Sequence, residues 1–434
     1  MPTIPTEHTA VGQSMIDFMS ALWPINRSIT GDGIRETLHM IQAKLPELNL
    51  IEVPSGTQVL DWIVPDEWRI ELAQLTNPDG KVIADMAVHN LHVVGYSEAV
   101  NKHLSLHELQ AHLYSLPDQP NAIPYVTSYY KRNWGFCISD ELRQSLQEGI
   151  YHAHIVSEHI KGSLTLGELV IPGDTDAEVL ISTYCCHPSM ANNELSGPCV
   201  ATYLAQWVNA LPRRKYTYRF VFIPEMIGSA AYLQLNQAYL KAHVKAAFNL
   251  TCVGDERDWS FLPSRKGNTY SDKVALHVLR YSNKDVSMYR WTDRGSDESM
   301  FCAPGIDLPM VSVMRTKYGV YPEYHTSLDT IGDVVTANGL AETLELHQRM
   351  IEVIEYDGKP VSLVLGEPQL GPRGLYPMTS VKGSTASVKD MLNLISYADG
   401  EHTLLDIADK CERPFSVFLP ILTQLEAHKL IRFD

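Results

Sequence analysis

The sequence predicts an α/β protein interrupted by a β-rich insert and closed by a small helical unit, and three observations carry that prediction. From Glu178 onward, apolar strand-like runs, polar loops and amphipathic helices repeat in that order. Between Ile51 and about Tyr130, short apolar stretches such as VLDWIV and LHVVGY are broken by the turn signals PSG and NPDG. From residue 387 onward, three short helical patterns lead into the brief strand LIRF.

Size and composition agree with an ordinary globular chain. At roughly 100–200 residues per domain, 434 residues make two to four domains. Hydrophobic residues are 45% and charged residues 20%, which excludes disordered, collagen-like and coiled-coil classes. Basic residues number 35 against 51 acidic ones, a net charge of −16, so phosphate backbones are repelled and nucleic acid is disfavoured as a partner. No run reaches the roughly 18–20 apolar residues needed to span a bilayer, so no membrane role is expected. The first residues, MPTIPTEHTAVGQSMIDFM, lack the basic start and apolar core of a secretory signal, and a cytoplasmic location is the expectation. Seven cysteines without a C-x-x-C pair read as reduced, mostly buried thiols.

In chain order, residues 13–45 are helical, with Ile34, Leu38, Ile41 and Leu45 recurring on one face. The insert occupies 51–130, and residues 1–50 with 131–364 form the main domain. There the strands EVLISTY, YTYRFVFI, AAFNLTCV and LPMVSVM each feed a polar loop at their carboxyl ends, where open α/β sheets gather reactive groups. The Gly-, Pro- and Ser-rich stretch 365–385 reads as a linker. Residues 376–434 make the last unit, whose order of three helices and a strand is that of a winged helix.

The loops after these strands hold a distinctive set of side chains. His187 follows the first strand, with Asn193 and Glu194 six and seven residues on, and Glu225, Asp255 and His325 fall in three further loops. Two imidazoles and several carboxylates converging on one sheet edge suit Zn²⁺. Neutral imidazole donates a lone pair, carboxylates offset the charge, and one unligated carboxylate must take a proton. Glu225, between a strand and the Gly-Ser start of a helix, is the candidate for that role; a carboxylate stabilised at a helix N-terminus is its structural alternative.

Four segments, HPSMANNELSG (187–197), PEMIGS (224–229), GSDESMFCAPGI (295–306) and YHTSLDT (324–330), resemble in order the metal and substrate loops of the co-catalytic zinc aminopeptidase clan, the M28-like fold. Over nearly its whole length the chain resembles a bacterial aminopeptidase-like family that joins such a domain to a β-rich insert and a C-terminal winged helix. The resemblance implies a three-layer α/β sandwich. It matches His187 to the first metal histidine, Glu225 to the catalytic glutamate region, His325 to the last metal histidine, and Asp297 to a cleft aspartate beside the metal or substrate. The clan's metal-bridging Asp is replaced here by Asn193, a poor bridge, and its paired glutamates are reduced to Glu225. The clan's carboxylate after the third strand aligns with Thr251, so Asp255 serves only if its loop curls back. One zinc ion rather than two is expected, held by His187 and His325 with help from Glu194 and Asp255.

Several residues keep two readings. Tyr324 could donate to an oxyanion or simply pack, and Asn193 and Asp297 are placed on the substrate side. Arg294 and Arg315 could hold a substrate carboxylate or pair internally. Cys185 and Cys186 could ligate only with a side chain turned into the cleft. The aromatic run from Tyr125 to Cys137 could line a pocket or an interface, so the insert could fold over the cleft. The tail from 387 to 434 has five basic residues against eight acidic ones, and its third helix carries only Glu426 and Lys429 as formal charges. Such a face suits protein packing better than DNA, and it leaves room for a homodimer. The leading functional expectation is a zinc-dependent hydrolase of aminopeptidase type, cutting an amide next to a free amino group in a small peptide or aminoacyl conjugate. Rival readings are an amidase or deacylase in sugar or secondary-metabolite biosynthesis, and an inactive interaction or regulatory protein.

Overall fold

The computed structural model describes residues 4–375 and 386–433. The chain divides into two compact units, Met1–Asp272 with Asp285–Glu345, and Lys273–Lys284 with Leu346–Asp434.

The first unit is built on an eight-stranded mixed sheet. Its centre is parallel. Glu178–Tyr184 lies between Thr217–Ile223 and Val244–Asn249, and Met310–Met314 pairs with the latter, all in the same direction. Glu178–Tyr184 is buried at every position, as a central parallel strand must be when both faces are covered. Antiparallel strands extend the sheet on both sides: Ser163–Ile171 and then Asn49–Pro54 at one edge, Trp259–Leu262 at the other. Because the four parallel strands end at one edge, the loops after Tyr184, Ile223, Asn249 and Met314 converge there.

Helix Ser196–Asn209 packs close against this edge. A Cβ on Gly197 would meet Leu250 O and Thr183 Oγ1 at 2.4 Å, so only glycine permits that approach. Ahead of the helix, Ala191–Leu195 forms a π-helical turn, a local widening often found at functional sites. The helical stretch expected over 13–45 is two helices, Ile4–Leu22 and Asp32–Lys44, separated by a segment that contains Pro24.

The insert is present and larger than the 51–130 expected. Its four-stranded antiparallel sheet runs Val82–Asp85, Glu67–Thr76, Ile150–Ile160, Val100–Ser105. The central strand Ile150–Ile160 comes from beyond residue 130; Tyr151, Ala153 and Ile155 point inward along it and pack with Leu75, Phe136 and Ile138. Asn49–Pro54, at the start of the insert in sequence, belongs to the main sheet instead.

In the second unit, helices Ala386–Ser396, Leu404–Lys410 and Phe418–Ala427 precede strand Ile431–Phe433. That strand pairs antiparallel with Pro360–Ser362, so the unit begins ahead of the expected linker rather than at 376. Of the linker, residues 376–385 lie outside the described residues. On Phe418–Ala427 the side chains of Phe418, Ile421, Leu422 and Leu425 are buried, and the helix meets Ala386–Ser396 and Ile431–Phe433. Among the described residues, no helix is long and apolar enough to cross a membrane.

Candidate metal centre

Local backbone strain marks the loops at the carboxyl edge. Ser189, Met226, Cys252 and His325, none of them glycine, adopt φ of 44°, 63°, 53° and 55°. Such left-handed residues persist where surrounding contacts over-determine them, typically at functional sites.

Two imidazoles meet there. The rings of His187 and His325 lie 5.5 Å apart, centroid to centroid. Glu194, on the π-helical turn, brings Oε2 to 2.9 Å from His187 Nδ1, and Glu225 brings Oε2 to 3.5 Å from His187 Nε2. Asp329 holds the turn that carries Glu194 by accepting hydrogen bonds from the amides of Asn192 at 2.7 Å and Asn193 at 2.9 Å. Glu225 is fixed through Oε1, which accepts from Ser296 Oγ at 2.8 Å. Asp297 accepts from Met226 N at 2.7 Å and Ser229 Oγ at 2.8 Å, locking the turn beside Glu225.

The electrostatics are those of a crowded, dry site. Burial pushes the Glu225 carboxyl up, and its neighbours Glu194 and Glu298 add to this against the opposing His187 and Ser296. Burial likewise holds Asp297 well above the usual carboxylate range, with Glu225 reinforcing it. Burial opposes charging of His187, but Glu194 and Glu225 outweigh it and raise its proton affinity. At His325, burial first and His187 second push the pKa down to about 3, which keeps the ring neutral and able to donate a lone pair.

The test of a metal at this place is which buried polar atoms lack a partner. Among the described residues, His187 Nδ1, both oxygens of Glu194, Asn193 Oδ1 and His325 Nε2 are buried with no hydrogen bond. Buried polar atoms are normally satisfied, and a shared cation would supply what this cluster lacks. Cys186, His187 and Glu194 each place one ligand atom within 4.8 Å of the others. The donor set fits a divalent ion of zinc type.

Asp255, expected as a ligand, is placed otherwise. Asn192 Nδ2 and Thr316 N donate to Oδ2 at 3.0 and 2.9 Å, and Arg257 N and Thr316 Oγ1 donate to Oδ1 at 2.9 and 3.0 Å. Four donors fill the four acceptor positions of a carboxylate, so Asp255 ties loops together and is not free to ligate. Asn193 donates Nδ2 to Tyr184 Oη at 2.9 Å. Asp297 turns Oδ1 to the Glu225 turn, while its Oδ2 is buried without a hydrogen bond. Tyr324 stacks on His325, centroids 3.9 Å apart. Arg315 is buried and paired with Glu342 at 2.9 Å, whereas Arg294 lies over Trp291.

Three further contributors stand at the site, of which Arg27 has no signal in the sequence. Arg27, fully buried, donates Nε to His187 O at 3.0 Å and stands 4.0 Å from Glu194 Oε1. Tyr125, from the insert, sets its ring edge-on to both imidazoles, at 5.0 Å from His187 and 5.2 Å from His325. Cys186 Sγ does lie at the cluster, accepting from Glu225 N at 3.2 Å, and burial drives its thiol pKa well up. For Tyr125 the aromatic run is the available signal, and for Cys186 its place directly before His187.

Comparison with known proteins agrees with this architecture. Residues 16–357 match the family described as a domain of unknown function, DUF4910, and residues 359–433 match a winged helix-turn-helix family. The chain belongs to the DUF4910 family. A relative in Clostridium acetobutylicum, provisionally named a polysaccharide biosynthesis protein with an aminopeptidase-like domain, is 39% identical over 407 residues, 93% of this chain and 92% of that protein. The crystal structure of a provisionally assigned peptidase from Clostridium acetobutylicum superimposes with a TM-score of 0.92 at 36% identity, covering 98% of this chain and 97% of that one. BSAP, a zinc aminopeptidase from Bacillus subtilis, shares the fold at a TM-score of 0.56 and 13% identity, over 79% of this chain and 94% of its own. The aminopeptidase-like α/β fold and the C-terminal winged helix expected from the sequence are therefore those of this DUF4910 chain.

Proposed function

We propose that this DUF4910 chain is a zinc-dependent amide hydrolase of aminopeptidase type, acting on small peptides or aminoacyl conjugates. The observation that carries the reading is the meeting of His187, Glu194 and His325 at one sheet edge, with buried ring nitrogens and carboxylate oxygens that make no hydrogen bond and Glu225 3.5 Å from His187. His187 and Glu194, whose ligand atoms lie within 4.8 Å of one another, would hold one zinc ion, with His325 joining them from the neighbouring loop. When bound, zinc supplies Lewis acidity, polarising a carbonyl and lowering the pKa of water towards about 7.

The protein's own groups then divide the work. Glu225, steadied by Ser296, takes a proton from the attacking water on Oε2 and returns it to the departing amine nitrogen. Burial raises its proton affinity above that of an ordinary carboxylate, which favours taking the proton. Asp297 acts through the backbone of Met226, keeping the Glu225 turn in place. Tyr125 and Tyr324 close the sides of the imidazole pair and narrow the space for substrate. A reducing, cytoplasmic setting suits seven cysteines that are all free.

The name of the Clostridium acetobutylicum relative favours a second reading, in which the amide cleaved belongs to an intermediate of polysaccharide biosynthesis. One experiment addresses both: elemental analysis of the purified protein, with chelator-sensitive hydrolysis screened on aminoacyl-anilides, dipeptides and N-acyl amino sugars. Stoichiometric zinc with cleavage of the first two supports the aminopeptidase reading. Cleavage of the sugars alone supports the second. Sub-stoichiometric zinc with no chelator-sensitive activity overturns both and favours a non-catalytic module.

A further inference from the structure

Each imidazole of the cluster is bracketed by aromatic rings. Tyr184 packs edge-on to His187 at 5.3 Å, and Tyr324 stacks on His325 at 3.9 Å. Among the described residues, Tyr125 is the one tyrosine whose ring touches both. The three rings of Tyr125, His187 and His325 form a triangle with sides of 5.0, 5.2 and 5.5 Å, each pair steeply inclined at 66° to 88°.

The backbone around Tyr125 is tied to the loop that presents His325. Tyr125 N donates to His325 O at 2.9 Å, Ser327 N donates to Ile123 O at 2.9 Å, and Pro124 bridges Thr326. Ile123 N in turn donates to Ser327 Oγ at 2.9 Å, and Gln119 Nε2 reaches Pro322 O at the far end of the same loop. This strap seizes the loop where it is strained, since His325 itself holds φ at 55°. The Tyr125 hydroxyl is anchored in turn on Tyr129 Oη at 2.9 Å.

We propose that Tyr125 is a positioning residue of the metal centre, and that the insert thereby sets the spacing of the two imidazoles. The inference rests on the reading that His187 and His325 share one ion. Its physical basis is that ligand affinity depends on ring orientation being fixed before the metal arrives. The ring packs edge-on against both imidazoles at once and fixes their mutual orientation, while the strap holds the His325 backbone from which one of them projects.

The test is metal affinity in the full chain, without reference to turnover. Co²⁺ is titrated into metal-free protein against a competing chelator, with the visible ligand-field spectrum as readout of geometry. Tyr125→Phe keeps the ring and should bind within about threefold of wild type, whereas Tyr125→Leu and Tyr125→Ala should bind roughly 10–100-fold more weakly, with an altered spectrum. The Leu variant retains apolar bulk, and the thermal midpoint of its metal-free form checks that the fold survives. Leu and Ala variants that bind with unchanged affinity and spectrum overturn this inference and leave the metal reading standing. A wild type that binds no Co²⁺ overturns the metal reading and this inference with it.

Discussion

Oε2 of Glu194 sits 2.9 Å from Nδ1 of His187, yet both Glu194 oxygens and that ring nitrogen are buried without a hydrogen bond. The two attract one another, and Arg27 Nε stands 4.0 Å from the other Glu194 oxygen; a shared cation would add the bonds that these contacts leave unmade. Expectations for individual residues follow from that arrangement.

Glu225 is assigned to proton transfer and not to metal retention. Glu225→Gln should lower kcat roughly 100- to 10,000-fold, since the amide can neither accept nor return the proton. Zinc content by elemental analysis should stay at the wild-type level. A variant that keeps more than a tenth of the activity would move the base to another residue.

His325 and Asp255 should separate cleanly. His325→Ala removes a buried unpartnered nitrogen from the cluster and should lose zinc with little change in chemical unfolding. Asp255→Ala strands four donors and should cost on the order of 3 kcal/mol in stability by urea unfolding. The refolded Asp255 variant should still take up zinc.

Glu194 and Cys186 flank the same space but differ in what already satisfies them. The Cys186 sulfur accepts from Glu225 N and is held as a thiol by burial. Cys186→Ala should therefore retain zinc, whereas Glu194→Gln should weaken its binding more than roughly tenfold, both read by chelator competition.

His89 supplies a pH signature away from the cluster. Burial, with His92 adding to it, pushes His89 down from its ordinary 6.5 to about 4, so the unfolded chain takes a proton that the folded chain refuses. Its contribution to stability is full above pH 6.5 and is lost as pH falls from there towards 4. His89→Asn preserves an acceptor for Leu91 N. Urea midpoints measured at pH 7 and pH 5 should fall further for wild type than for this variant.

The third helix of the C-terminal unit should not bind duplex DNA. Phe418, Ile421, Leu422 and Leu425 are buried, and its few formal charges leave no row of cations for phosphates. Retention on random and genomic duplexes should be absent at physiological salt; specific, salt-sensitive retention would overturn this assignment.

Much of the site could be read before the fold, for a definite reason. A strand–loop–helix repeat dictates which loops share a sheet edge, so His187, Glu225 and His325 could be grouped from spacing alone. Glu194 came with them because it follows His187 in the same loop. Asp255 misled because its loop position is right but its partners, Asn192 and Thr316, come from other loops whose packing no local pattern announces. Arg27 and Tyr125 stand outside the repeat altogether, one between two N-terminal helices and one in the insert. The insert's boundary was misjudged for a similar cause: its central strand Ile150–Ile160 is supplied from sequence that follows the aromatic run.

The pairing of Ile431–Phe433 with Pro360–Ser362 bears on how the protein should be handled. Trimming even a few residues from that end would strip the 360–362 segment of its hydrogen-bonding neighbour and expose raw backbone to intermolecular association. Affinity tags and reporter fusions therefore belong at the opposite terminus, or behind a spacer generous enough to leave the closing strand seated.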